Sequence, residues 1–278
     1  MARSFSSAVD GIAESVLFRK EMVNRWEVSE KGKSSGITNK LFGKGRQNRM
    51  KIKIYQINME RDLHRVKFQS YEKMQSDQET ADIDASIYDR VFMGDVDCAG
   101  MEDVYQLFNT EGHRLHRGHS LSVSDIVEVE DGESAGFYFC DSVGFQKISF
   151  HPEQTQKADN LIRILVVEPH RKPYESEIPN TLEGEQKAVQ GLIEYIGNGD
   201  GTLLVINEEN KLNGMEGNRR IDGDVVCGPF FVARDTGDEI CSLNDEQLTK
   251  YAEQFAQPDE DITPEEIESH IGFSILPW

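Results

Sequence analysis

Residues 111–130 read EGHRLHRGHSLSVSDIVEVE, and the two halves of that stretch point in different directions. In the second half, Ile126, Val127 and Val129 fall in an alternating run rich in β-branched residues, the pattern of a strand. In the first half, His113, His116 and His119 recur at every third position, with Arg114 and Arg117 beside them. A zinc site on a helix uses ligands at i and i+4, and one on a strand uses i and i+2. A spacing of i, i+3, i+6 fits neither, and Gly112 and Gly118 mark a loop. No H-E-x-x-H or paired Cys/His spacing accompanies it, so no metal is expected. Ser120, Ser122 and Ser124 suit local hydrogen bonds to the backbone as the chain turns into the strand. Imidazole and guanidinium groups together also hold the parts for acid–base cleavage of RNA. The catalytic candidates are therefore His119, His116, His113 and Arg117. A structured loop is the preferred reading, because an imidazole serves as a base only where tertiary contacts position it.

Working outward, IKIYQI, RVKFQSY and IYDRVFMG read as strands before this stretch, and MEDVYQLFNT as a helix with apolar residues at 101, 104, 107 and 108. After it, GFYFCDSVGFQKISF reads as a hairpin, and the polar link HPEQTQKADN closes a first domain. A second domain opens on the strand LIRILVVE. Asn180, with Glu183 three residues on, is expected to start a helix ending near Gly197. GNGDG is a turn into the strand TLLVIN; lacking the G-x-G-x-x-G order and preceding a strand, it is no nucleotide loop. GDVVCGPFFVAR reads as one further strand, and Asn244 with Gln247 caps a helix to about Phe255. Thr263, Pro264 and Glu266 start a last helix, followed by an apolar end that either docks on the parent domain or binds a partner. Near the N-terminus, Val9, Ile12, Ala13, Val16 and Leu17 have helical spacing, over about Ser7 to Trp26, and a Gly-rich basic connector follows. The fold class is thus α+β: two small mixed domains, at 50–150 and 161–256, joined by a linker at 151–160. A helical and basic flexible appendage (1–49) precedes them, and an acidic tail with a short helix (257–278) follows.

The 278 residues are enough for two modest cores, and a mean hydropathy of −0.55 suits a globular protein in water. No apolar run approaches the ~20 residues of a membrane span, and the first residues lack the apolar core of a secretory signal. Cys98, Cys140, Cys227 and Cys241 are far apart, which fits four buried thiols in a reducing, cytoplasmic setting. No nucleophile elbow, Walker loop or kinase signature is present, and no cofactor is implied. Carboxylate pairs such as Asp95/Asp97 carry little weight in a chain with 50 acidic residues.

The net charge of −20 is unevenly spread. Residues 19–53 hold eleven Lys or Arg against three Glu, a surplus of eight; with −1 before them, residues 54–278 carry −27. The basic arm, through Arg19, Lys20, Lys40, Lys44, Arg46, Arg49 and Lys51, suits phosphate contacts of nucleic acid or an anionic partner. The acidic body repels nucleic acid and competes for the channels that hold it. Gathered on one face, such a charge would match about 45 Å of duplex.

Residues 50–150 resemble the YodL-like domain, through KIYQI, IYDRVFMGDVD, MEDVYQLFN, RGHSLSVSDIVEV and YFCDSVGFQKI. In that family RGHSLSVSD leads into a strand, so Arg117, Gly118, His119 and Ser120 through Asp125 match, whereas His113 and His116 lie in a variable approach. Residues 161–256 are similar to a mobile-element domain of unknown function, through ILVVEP, EIPNTLEGEQKAVQGLIE, VINEENKLNGMEGNRR, GDVVCGPFFVA and SLNDEQLTKYAEQF. The first domain also resembles part of some anti-CRISPR proteins of Gram-positive mobile elements. These resemblances bring no catalytic residue. They imply an accessory protein of a mobile element or bacteriophage, acting as an anti-CRISPR or antirestriction inhibitor by protein–protein interaction with a host defence nuclease or its ribonucleoprotein complex. The competing expectations are a guide-RNA-cleaving enzyme built on His119, and a DNA-transfer adaptor using the basic arm.

Overall fold

A computed structural model describes residues 49–78, 82–156 and 160–269. The expected N-terminal helix, most of the basic arm and the apolar C-terminal end lie outside the described residues.

Two antiparallel sheets form the molecule, which is α+β. The first has the order β2-β1-β3-β4-β5, from β1 (Met50–Ile57), β2 (Tyr88–Val96), β3 (Ile126–Val129), β4 (Gly136–Cys140) and β5 (Phe145–Ile148). Helix α1 (Tyr71–Gln78) lies between β1 and β2, and α2 (Met101–Gln106), running on into a π-helical turn at Leu107–Glu111, follows β2. The second sheet has the order β7-β6-β12-β9-β8, with β13 beside β12. It uses β6 (Leu161–Val167), β7 (Tyr174–Pro179), β8 (Ile193–Gly197), β9 (Thr202–Asn207), β12 (Phe230–Asp235) and β13 (Ile240–Cys241). A separate hairpin joins β10 (Gly217–Ile221) to β11 (Asp224–Cys227). Helix α3 (Leu182–Val189) follows β7, and α4 (Asp245–Gln254) and α5 (Pro264–Ser269) end the described chain. The capping box expected of Asn244 and Gln247 forms, with both reciprocal hydrogen bonds.

Period-two alternation sorts the side chains into three apolar layers. Tyr55 and Ile57 of β1 face a core with Met74, Tyr88 and Phe139, whereas Leu165 and Val167 of β6 face one with Phe230 and α4 residues Leu248 and Tyr251. The opposite faces of these strands, Ile52 and Ile54 on β1 and Ile162, Ile164 and Val166 on β6, meet in a single core with Phe92, Val205 and Phe231. The two sheets are thereby packed through one shared apolar layer. Their edges β2 and β7 run side by side without pairing. Side chains cap the exposed carbonyls there: Ser176 Oγ donates to Met93 O (2.6 Å), and Arg117 donates to both Arg90 O and Glu177 O.

Three sequence expectations are corrected. RVKFQSY is a loop leading into α1, not a strand. Arg65 and Phe68 have φ of 56° and 68°, incompatible with an extended run. The Asp62 carboxylate accepts from Val66 N and Lys67 N, and Ser124 Oγ from Phe68 N, so side chains take the place of a neighbouring strand. The helix after Asn180 is capped by Thr181 and stops at Val189, where Gln190 turns left-handed and Asn207 Nδ2 donates to the carbonyls of Val189 and Gln190. Residues 193–197 instead form β8 and pair back on β9 across GNGDG. GDVVCGPFFVAR is two strands, broken where Gly228 takes φ of 69° ahead of Pro229. Cys98, Cys140 and Cys227 are buried free thiols, while Cys241 is partly exposed.

Candidate functional site

Strand β1 pairs with β2 in a register that slips between Ile54 and Tyr55, leaving Val91 as an extra, bulged residue on β2. The Val91 carbonyl, with no strand partner at that point, accepts from Arg117 N (3.0 Å). This bond brings the 111–125 segment across the sheet. Gln56, on the same side of β1 as Ile52 and Ile54, then becomes its anchor. Gln56 Oε1 accepts from His119 N (3.0 Å), and Gln56 Nε2 donates to His119 O and to Asp125 Oδ2 (2.8 Å each). One side-chain amide thus replaces the neighbouring strand that His119 lacks. Gly118 is required for the fit, because a Cβ there would lie 1.9 Å from Gln56 Oε1.

Asp125 is fully buried, and its Oδ2 also accepts from Ser122 N (2.7 Å), while Oδ1 has no partner. Burial raises its pKa well above the usual carboxylate range. Ser124 holds φ of 77°, fixed by its N–H to Cys140 O, its Oγ to Phe68 N and its carbonyl to the Tyr88 hydroxyl. His119 Nδ1 lies 2.8 Å from Ser120 O, so it carries the ring proton, and the lone pair of Nε2 is buried with no partner. Both protons of Gln56 Nε2 are already placed, so its 3.2 Å approach to His119 Nδ1 is a contact between two donors.

The three histidines do not converge. His119 packs against Phe68 (5.7 Å between rings), whereas His113 and His116 lie on the other side of the loop against Phe108, and His113 also meets Phe92 at 4.7 Å. His113 Nδ1 accepts from Leu115 N (3.2 Å), which places its proton on Nε2. Burial, aided by Arg114, pushes the His113 pKa down to about 3; burial with His119 and Lys187 nearby pushes His116 down to about 4; burial lowers His119 as well. His113 and His116 are neutral at pH 7, and burial favours the neutral ring of His119 too. Among the described residues, no three His, Cys, Asp or Glu side chains are placed to hold a metal ion.

The two arginines of the segment tie the sheets together. Arg117 Nη1 donates to Glu177 O (2.7 Å) and Nη2 to Arg90 O (2.8 Å), beside the ion pair of Arg90 with Glu177 (2.6 Å). Arg114 Nε donates to Ala188 O (2.9 Å) at the C-terminal end of α3, and its guanidinium pairs with Glu168, which also binds Arg171. Between the π-helical turn and α3 lies a cavity of about 720 Å³, lined by Phe108, His113, Arg114, His116, Lys187 and Gln190 among others. Sequence reasoning missed Gln56, Lys187 and Gln190. Gln56 had a signal, a polar residue in the inward register of an apolar strand. Lys187 and Gln190 had none, being on the last turn and the C-cap of a helix in the other domain.

Of the basic arm, Arg19, Lys20, Lys40, Lys44 and Arg46 lie outside the described residues. Arg49 is 3.4 Å from Asp97 and Lys51 3.1 Å from Glu130, so both cations serve internal pairs. Exposed carboxylates flank one strand of each sheet. Glu60 lies past the end of β1 and Asp131 and Glu133 beside its start; Asp200 precedes β9 and Glu208 and Glu209 follow it.

These features define a two-domain α+β protein whose domains share one core, with a histidine-rich loop at their junction. Residues 51–150 match the YodL-like domain and residues 162–256 match the domain of unknown function DUF3846, so the chain carries the first followed by the second. No curated protein and no solved structure matches the chain. Among the described residues, no helix is long and apolar enough to cross a membrane.

Proposed function

We propose that this protein is an accessory protein of a mobile genetic element that acts by binding, as an inhibitor of a host defence nuclease of CRISPR or restriction type or of its guide complex. A YodL-like domain followed by DUF3846 is compatible with a mobile-element accessory role. The observation that carries the choice of binding over catalysis is the engagement of the histidine segment: its imidazoles are neutral and packed, and its arginines close the seam between the sheets. Cleavage of RNA by paired imidazoles needs one of them protonated near neutral pH, which burial opposes here. The net charge of −20 supports electrostatic competition for a cationic nucleic-acid channel, which needs no duplex-like array.

The test is a tagged pull-down from a defence-competent host, with and without nuclease treatment, followed by a cleavage assay with the recovered effector. Retention of a CRISPR or restriction effector after nuclease treatment, with cleavage blocked in proportion to added protein, is the expected result. Recovery of nucleic acid alone, lost on nuclease treatment, would transfer the role to the basic arm. An effector recovered with shortened guide RNA would restore the enzyme reading.

A further inference from the structure

We propose that the groove between the π-helical turn and α3 binds a small phosphorylated molecule, whose phosphate sits on the Lys187 ammonium. The cavity, about 720 Å³, is in the size range of small-molecule sites and is built by both domains. The first domain supplies the turn at Leu107–Glu111 and the loop through His116; the second supplies Lys187 and Gln190 at the end of α3.

Charge points to an anion. The protein as a whole carries −20, yet the two cations near His116 in the groove wall, Lys187 and Arg117, both favour its neutral ring. The groove lining itself holds two cations, Arg114 and Lys187, against one carboxylate, Glu111. Lys187 Nζ donates one hydrogen bond, to His116 O at 3.0 Å, and an ammonium has three protons to give. The negative end of the α3 dipole, which would disfavour an anion, is met by Arg114 Nε on Ala188 O. The guanidinium itself is balanced by Glu168, whereas the exposed Lys187 ammonium has donors to spare. His116 is 8% exposed, and its Nε2 has no hydrogen-bond partner, which is costly unless something else in the site supplies one. The exposed Glu111 carboxylate at the rim repels a second anionic group and accepts from hydroxyls. One phosphate next to hydroxyls, as in a sugar phosphate or nucleoside monophosphate, satisfies both ends.

Binding is read by titration calorimetry of the full chain at fixed ionic strength, with inorganic phosphate, ribose 5-phosphate and AMP as probes, and sodium chloride as the control. Saturable binding that weakens at least about tenfold in Lys187→Met is expected, with a matching loss of ligand-induced thermal stabilisation. Tighter binding of ribose 5-phosphate than of inorganic phosphate would identify an ester as the ligand; equal binding would identify free phosphate. No saturable binding of any probe by the wild type, or undiminished binding by Lys187→Met with an unchanged Tm, would overturn the proposal.

Discussion

Residues 108–116 and 117–125 are neighbours in the chain and differ sharply in how their polar groups are used. In the second segment, the backbone of Arg117, His119 and Ser124 and the Arg117 guanidinium meet partners brought from distant strands: Gln56 by β1, Val91 and Arg90 by β2, Cys140 by β4. In the first, the chain opens on a cavity, and Lys187 beside it retains donors for a ligand. A run of histidines that looks uniform in sequence is thus a lock in one half and a wall in the other. The difference teaches that regular spacing of reactive side chains says little until the groups that satisfy the backbone are known.

The lock should break most severely at Gly118. Gly118→Ala places a methyl on Gln56 Oε1, and a loss of about 3 kcal/mol in urea unfolding is expected; a loss below about 0.5 kcal/mol would mean that the Gln56 anchor is dispensable.

The wall should respond to pH. His113 and His116 have folded pKa values of about 3 and about 4 against 6.5 when free, so the unfolded chain takes up protons first. Stability from these groups is fully present above pH 6.5 and is lost as pH falls through the window toward 4. From pH 7 to 5.5 the pair should cost about 2 kcal/mol. Asp125, raised by burial, works in the opposite sense, so the clean reading is a difference: His116→Phe should recover about half of that loss. An identical pH slope in the variant would show that His116 is not held neutral.

His119→Ala keeps both backbone bonds to Gln56 and forfeits the Nδ1 bond to Ser120 O and the Phe68 contact. About 1 kcal/mol of stability should go, with inhibition of the defence effector unchanged; abolished activity in a folded variant would make His119 catalytic. Lys187→Met, at an exposed position, should leave stability within about 0.5 kcal/mol.

Much of the fold was legible because alternation and caps are local signals. β1, β2 and β6 follow apolar alternation, and the Asn244–Gln247 box starts a helix by itself. Failures came where long-range partners replaced local ones. RVKFQSY has strand-forming residues, yet Asp62 and Ser124 take its amides. β8 reads as helix until GNGDG folds it onto β9. At the site, the loop character of 111–125 was readable from Gly112, Gly118 and the serines. The division of its histidines between two environments was not, because it depends on a bulge at Val91 and on α3 of the other domain.

Residue-resolved amide exchange across 108–125 tests the contrast most directly. The amides of His119, Ser124 and Asp125 should exchange only by global unfolding, whereas those of 110–114 should exchange through local opening, orders of magnitude faster, and slow when ribose 5-phosphate is added. Uniform exchange through the whole stretch would contradict the division into lock and wall.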